Sequence, residues 1–202
     1  MGITYELSGL LFIGLPIWVV ARIIILIKRR NKGIKIDIVK EMILNLFAIY
    51  LFILIGITIL PIHLGETIPY TQSLTFAQRC NIHLVPFIDY FRGSILFRTI
   101  IKNIVGNIIL LVPFILYLCV KNENMRNLKS SIKIALLISL SIESIQLFTN
   151  ILGISNIRVI HIEDVILNTF GGIIAWLLFK FMYKGKIKST IDSIYLESTE
   201  ES

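Results

Sequence analysis

The sequence predicts an all-α protein built as a polytopic bundle of five transmembrane helices. Of its 202 residues, 55% are hydrophobic and 16% are charged, and the mean hydropathy is +0.82. A water-soluble domain of this size could not bury that much apolar surface. The apolar residues also fall into five separate runs of about 20 residues, which is the length that crosses the hydrocarbon core of a bilayer.

Polar residues bound each of the five predicted spans. The spans cover residues 7–27, 43–60, 101–120, 134–152 and 162–183. The first span is followed by KRRNK and has no small-residue cleavage site, so we expect a permanent helix and not a removed signal peptide. Arg22 lies near the end of this span, and we expect its long side chain to extend to the headgroups.

Basic residues decide the predicted orientation. They cluster after the first, third and fifth spans, at 28–40, 121–133 and 180–188. By the positive-inside rule these loops are cytoplasmic, which places the N-terminus outside. The basic residues that give the net charge of +7 then act as topology determinants, and we expect no nucleic-acid partner. The polar, acidic segment 185–202 is predicted to be a disordered cytoplasmic tail.

The loop between the second and third spans is predicted to lie outside. Its amphipathic end, FIDYFRGSILFRTI at 87–100, is expected to lie in the membrane interface or to re-enter the membrane. Cys80 in this loop and Cys119 near the end of the third span offer neither a disulfide framework nor a metal-ligand spacing. Pro113 removes a backbone donor inside the third span, which predicts a kink there.

The last three spans carry polar side chains at one depth. At 1.5 Å per residue, the central ones lie roughly 9 Å below the outer boundary. They form three helical pairs with spacings of three or four residues, Asn103 with Asn107, Glu143 with Gln146, and Asp164 with Asn168. Amides at this depth are explained by hydrogen bonds between helices. Carboxyls need a partner, a proton or water, so Glu143 and Asp164 favour a polar cavity open to the outside and are our candidate acid or base residues.

The segment RVIHIEDVILNTFGGIIA at 158–175 concentrates this chemistry. It places Arg158, His161, Glu163 and Asp164 directly before an apolar run, where charge is costly unless it is used. The alternative interpretation is an ordinary polar cap, because acidic residues are favoured at a helix N-terminus. His161, Glu163 and Asp164 form a loose ligand set in which a metal site cannot be demonstrated from sequence, and we predict neither a metal nor a cofactor.

Four sequence blocks, in this order and spacing, resemble the VanZ family of bacterial membrane proteins. They are R-x-N followed by PF (Arg79, Asn81, Pro86, Phe87), N-x-x-x-N followed by PF (Asn103, Asn107, Pro113, Phe114), E-x-x-Q (Glu143, Gln146), and R…D-x-x-x-NT-x-GG (Arg158, Asp164, Asn168, Thr169, Gly171, Gly172). The resemblance covers 79–179, with the second span as the family's usual first helix. His161 departs from the pattern, since the family usually has an acidic residue there, and the first block holds one extra residue.

The resemblance implies a domain organisation. Residues 1–42 form an extra N-terminal helix and a basic cytoplasmic loop, residues 43–184 form the VanZ-like membrane domain, and residues 185–202 form the tail. It also implies low-level resistance to glycopeptide antibiotics such as teicoplanin, through reduced antibiotic binding at the cell envelope. A protein with that role would be a multi-pass protein of the bacterial cytoplasmic membrane.

Three mechanisms remain open, so whether the protein is an enzyme is uncertain. A membrane enzyme would modify a lipid-linked envelope component, with Glu143 or Asp164 as acid or base. A non-catalytic binder would hold a lipid-linked cell-wall precursor or an anionic lipid headgroup, and in either case Arg79 and Arg158 would bind a phosphate. A small transporter or assembly partner fits less well, because the inner halves of the last three spans are apolar. The predicted substrate contacts are Arg79, Asn81, Asn103, Asn107, Gln146, Arg158, His161 and Asn168.

Overall fold

A computed structural model describes residues 3–64, 73–91 and 95–200. It contains five helices that are long and apolar enough to cross a membrane: Leu7–Asn31, Ile38–Thr58, Phe97–Lys121, Leu128–Leu152 and Ile162–Met182. The predicted all-α, five-span fold is therefore confirmed, and the chain is a multi-pass membrane protein. The side of the membrane on which the N-terminus lies stays a prediction.

Three spans begin earlier than the apolar runs predict, because their first turns are polar. The second span starts at Ile38, where the carboxylate of Asp37 accepts hydrogen bonds from the backbone N–H groups of Val39 at 2.7 Å and Lys40 at 3.2 Å. The fourth span starts at Leu128, and the side chain of Asn127 accepts from the N–H of Ser130 at 2.8 Å. Hydropathy alone misses such turns, since they are helical without being apolar.

The chain divides into two compact units, Met1–Cys80 with Gln146–Arg158, and Asn81–Ile145 with Val159–Ser202. The elements of the first unit, in chain order, are β1 (Ile3–Tyr5), α1 (Leu7–Asn31), α2 (Ile38–Thr58), β2 (Ile62–Leu64) and α3 (Phe76–Arg79). Strands β1 and β2 pair antiparallel, with Thr4 opposite His63. Helix α1 packs against α2.

Polar side chains tie α1 to α2 inside the predicted membrane. The guanidinium of Arg22 donates two hydrogen bonds to the carboxylate of Glu41, one of them from Nε to Oε2 at 2.8 Å. One turn away, the indole N–H of Trp18 donates to the side-chain oxygen of Asn45 at 2.9 Å. Arg22 therefore pairs with an acidic residue of the next helix that the sequence does not reveal, and its extension to the headgroups stays a prediction.

The second unit holds the last three spans. Its elements are β3 (Ile82–His83), α4 (Ile88–Phe91), α5 (Phe97–Leu110), α6 (Val112–Lys121), a 3₁₀ turn (Glu123–Met125), α7 (Leu128–Leu152, whose last turns belong to the first unit), β4 (Ile160–His161), α8 (Ile162–Met182) and α9 (Gly185–Glu200). The third span is interrupted at Leu111, where Pro113 predicts a kink. Both of its halves pack against α8.

The glycine pair of α8 lets neighbouring helices approach closely. A Cβ atom on Gly171 would meet the backbone carbonyl oxygen of Ile108 on α5. A Cβ atom on Gly172 would lie 2.5 Å from the Cβ of Ala135 and 3.2 Å from the carbonyl oxygen of Ser131, both on α7. The small residues of α8 therefore allow both α5 and α7 to pack closely against it.

The polar C-terminal segment differs from its prediction. The sequence predicts disorder in 185–202, whereas the structure forms a helix over Gly185–Glu200. Asp192 on this helix accepts hydrogen bonds from Arg126 at 3.0 Å and from the hydroxyl of Tyr183 at 2.6 Å, and Ile191 is buried. The hydrogen bond from Tyr183 lowers the pKa of Asp192, which keeps this carboxylate charged for Arg126. These tertiary contacts anchor a segment that composition alone does not order.

Part of the predicted interfacial segment 87–100 lies outside the described residues, namely positions 92–94. On either side of them, the chain forms α4 and the start of α5. Phe91, Leu96 and Phe97 are 87%, 78% and 76% exposed. Large apolar side chains exposed to this degree suit a membrane interface, which stays a prediction.

Candidate functional site

Two short strands bring two distant histidines together. Strands β3 and β4 pair in parallel with His83 opposite His161, and the N–H of Ile160 donates to the carbonyl oxygen of Asn81 at 3.0 Å. The two imidazole rings meet edge to face, with their centroids 5.1 Å apart. The backbone pairing therefore holds the two histidines side by side.

A carboxylate joins this pair from a third element. Asp89 lies on α4, and its Oδ2 is 2.5 Å from Nδ1 of His83 and 3.7 Å from Nδ1 of His161. The side chains of His83, Asp89 and His161 are 28%, 16% and 25% exposed, so they are sheltered but reachable from solvent. Three segments that are separate in sequence thus direct nitrogen and oxygen atoms toward one point.

The N-terminus of α8 adds two further carboxyl groups. His161 is the residue before the first turn of α8, and its own side chain makes no capping hydrogen bond. Glu163 follows in that turn and is 2% exposed, and its Oε1 lies 3.2 Å from Nδ1 of His161. We call His83, Asp89, His161 and Glu163 the histidine–carboxylate cluster. The positive end of the α8 dipole favours the acidic residues here, as the polar-cap interpretation predicts.

Asp164 is held by an amide from the third span. The side-chain N–H of Asn107 donates a hydrogen bond to Oδ1 of Asp164. Tyr90 lies close to the same carboxylate. Burial raises the pKa of the Tyr90 hydroxyl, and the negative charges of Asp164 and Glu163 raise it further, while a hydrogen bond with Asn103 lowers it. Three of the predicted residues therefore meet next to the cluster.

Glu143 lies at the same level of the bundle as Asp164. The side-chain N–H of Asn168 donates to the hydroxyl of Ser139 on α7 at 2.9 Å, and one turn further along α8 Gly172 lies against Ala135 of α7. The two helices run antiparallel, so moving one turn the other way leads to Asp164 on α8 and to Glu143 on α7. The register of the two helices therefore sets Glu143 opposite Asp164. Glu143 is 7% exposed, so this carboxyl is buried. Asn168 itself forms a hydrogen bond between α8 and α7.

In the first unit, Arg158 and Gln146 close the C-terminal end of α2. The guanidinium of Arg158 donates to the carbonyl oxygens of Ile57 at 3.3 Å, of Thr58 and of Leu60. The side-chain amide of Gln146 donates to the Thr58 carbonyl at 2.7 Å. The last carbonyls of a helix have no partner within it, and a cation there also complements the helix dipole. These contacts give Arg158 and Gln146 a structural role, and their contact with a substrate stays a prediction.

The loop after α7 is fixed by Asn150. Its side chain donates to the carbonyl oxygen of Arg158 at 2.6 Å and accepts from the N–H of the same residue at 3.1 Å. Asn150 is fully buried, and sequence reasoning missed it. Arg79 lies in the same unit, with Nη1 3.4 Å from the carbonyl oxygen of Ile151. Phosphate binding by Arg79 stays a prediction.

The fold and the site define a class of protein, a multi-pass helical membrane protein with ionisable side chains gathered at the start of its fifth span. Residues 47–183 match the VanZ/LLP1 family. Because the match covers more than half of the chain, this protein belongs to the VanZ/LLP1 family. The matched region includes every element that builds the histidine–carboxylate cluster and leaves out β1 and α1. No curated protein and no solved structure gives a match.

Proposed function

We propose that this protein lies in the bacterial cytoplasmic membrane and lowers susceptibility to teicoplanin-type glycopeptides by acting on or binding a lipid-linked envelope component. Family membership supports this phenotype through the resemblance described above. The observation that carries the proposal is the set of ionisable side chains at one end of α8, which includes His161, Glu163 and Asp164. Charges beside an apolar span are costly, and such groups mark functional sites in membrane proteins.

The chemistry centres on two carboxyl groups. Glu143 on α7 and Asp164 on α8 are at one level by the helix register, and Asn107 orients Asp164 through its hydrogen bond. Two carboxyl groups in different surroundings can divide the tasks of proton donor and proton acceptor. Asn103 and Tyr90 add hydrogen-bonding groups for the sugar or peptide portion of a lipid-linked component.

A non-catalytic binder is the second candidate function. The hydrogen bond from Asn168 to Ser139 and the contacts of Arg158 with the end of α2 show that several predicted substrate contacts have structural partners. Fewer polar groups then remain for catalysis than the sequence alone suggests. In this alternative the same site holds a lipid headgroup or a cell-wall precursor without changing it.

The test measures teicoplanin susceptibility in cells that express each variant, normalised to the amount of protein in the membrane. Glu143→Gln keeps the size of the side chain but removes its ability to transfer a proton. We expect this variant to accumulate normally and to lose protection, so that its susceptibility equals that of cells without the protein. The matched control is Ser144→Ala on the same helix, because Ser144 is exposed and its hydroxyl donates only to the Leu140 carbonyl of its own helix among the contacts of the described residues.

The outcomes separate the candidate functions. Full protection by Glu143→Gln at normal abundance excludes acid or base catalysis by this residue and leaves the binder ahead. If Asp164→Asn also protects fully, the paired carboxyl groups have no part in the activity. Unchanged susceptibility on expression of the unaltered protein contradicts the proposed function as a whole.

A further inference from the structure

We propose that the histidine–carboxylate cluster binds one divalent transition-metal ion of the zinc type, with His83, Asp89 and His161 as ligands. The ligand-capable atoms of these three residues all lie within 4.8 Å of one another. Atoms bonded to one tetrahedral zinc ion at about 2.0–2.1 Å sit roughly 3.3 Å apart. The separations of 2.5 Å and 3.7 Å between Asp89 Oδ2 and the two histidine nitrogens bracket this value. Small side-chain movements therefore suffice to admit an ion.

The donor set selects the kind of metal. Two imidazoles with one carboxylate suit zinc and its neighbours, whereas magnesium and calcium prefer sites made of oxygen ligands only. Three protein ligands leave a fourth position for water or for an oxygen of a bound molecule, which is the pattern of reactive and not of closed structural zinc sites. Because His83 and His161 lie opposite each other in paired strands, backbone pairing keeps two of the three ligand residues next to each other.

Buried polar atoms at the cluster supply independent support. Nδ1 of His161 is close to Glu163, yet among the described residues neither this nitrogen nor Oε2 of Glu163 has a hydrogen-bond partner. Native proteins rarely leave such atoms unpaired, and an ion is one of the explanations for those that are. A metal bound to Nδ1 of His161 would satisfy this nitrogen, and Glu163, whose Oε1 is 3.2 Å from the same nitrogen, would then face the ion as a buried carboxylate that balances its charge.

Electrostatics links the metal to the proposed function, and this step rests on that function. Asp89, Glu163 and Asp164 place negative charge at one end of the second unit. An anionic headgroup or phosphate would be repelled by these carboxylates. A bound divalent ion offsets two of these three negative charges, and its open position can accept a phosphate oxygen. An anionic lipid-linked component would thus be held through this ion.

The test uses the full chain, purified in detergent with a tag that contains no histidine and treated with a chelator. Zinc chloride is titrated by calorimetry, and cobalt(II) provides the visible absorption bands of tetrahedral coordination. We expect one ion for each chain. His83→Ala and His161→Ala should each abolish binding in the range titrated, and Glu163→Gln should weaken it roughly 10–100-fold. The matched control is His63→Ala, since His63 is the chain's third histidine and lies in the other unit beside Thr4.

A second measurement guards against variants that fail to fold. Zinc should raise the unfolding temperature of the unaltered protein and of His63→Ala, and should leave that of His161→Gln unchanged. The inference is overturned if the unaltered protein takes up no ion, if the cluster variants retain the ion, or if His63→Ala loses it. Absence of metal binding together with loss of protection by Glu143→Gln would remove this inference alone. Metal binding without any protection would remove only the proposed function.

Discussion

Gly171 is the position at which one added methyl group tests how closely α5 and α8 pack. In Gly171→Ala the new Cβ would meet the backbone carbonyl oxygen of Ile108, inside van der Waals contact. A backbone carbonyl in a helix cannot rotate away as a side chain can, so the two helices must separate. Overpacking of this kind costs roughly 1–3 kcal/mol. We expect the upper part of that range, about 2–3 kcal/mol, because the added methyl group meets a backbone atom that is fixed within its helix.

Gly106 provides the matched control on α5. Apart from its chain neighbours and the backbone of its own helix, a Cβ atom there would have no heavy atom of the described residues within 4 Å. Both replacements gain helix propensity of roughly 0.5–1 kcal/mol. We therefore expect Gly106→Ala to stabilise the protein by that amount and Gly171→Ala to destabilise it by about 1–2.5 kcal/mol. The difference between the two variants isolates the steric cost.

The free energy of unfolding is measured on the purified chain in detergent micelles, with a denaturing detergent as the titrant and helical circular dichroism as the signal. Gly106→Ala also reports whether an alanine is tolerated in this part of the bundle. Equal unfolding free energies for the two variants would refute the close approach of α5 and α8. The register that sets Glu143 opposite Asp164 would survive that result, because it depends on contacts between α7 and α8.

Three further predictions concern contacts in each unit and the orientation of the chain. Glu41→Ala should destabilise the protein by roughly 3–5 kcal/mol in the same unfolding assay, because it leaves the guanidinium of Arg22 without its carboxylate. A loss of stability below about 1 kcal/mol would contradict a buried ion pair. Asn168→Ala should cost roughly 0.6–2 kcal/mol and lower the yield of folded protein, as expected for one lost hydrogen bond between helices, whereas unchanged stability would show that the amide has another role. A membrane-impermeant thiol reagent should label Cys80 in intact cells. In a Cys80→Ser background, the same reagent should label Glu123→Cys only after the cells are lysed. The reverse pattern would place the N-terminus inside.

The candidate site divides into residues that sequence reasoning found and residues that it missed. His161, Glu163 and Asp164 were found because charges placed directly before an apolar run form a local signal. His83 and Asp89 were missed, since a loop histidine and a loop aspartate carry no such signal. Their importance comes from the parallel pairing of β3 with β4, which joins distant parts of the chain. No spacing within one segment predicts that pairing.

Several predicted residues acquired roles that spacing alone does not decide. The sequence placed Arg158 and Gln146 with the other polar groups of the last spans, and the structure directs both to the carbonyl oxygens at the end of α2. Asn168 shares a helix face with Asp164, yet it pairs with Ser139. Helical spacing determines the face on which a side chain lies. The neighbouring helix determines what that face meets.

The sequence by itself determined the membrane class and the five spans, because the length and hydropathy of an apolar run are local properties that act wherever the helix lies. It also carried the motifs that place the chain in its family. Only the tertiary structure decided that Arg22 pairs with Glu41, that the C-terminal segment forms an anchored helix, and that His83 and Asp89 join His161. These outcomes depend on contacts between segments far apart in sequence, whose energies come from partners that no single segment contains.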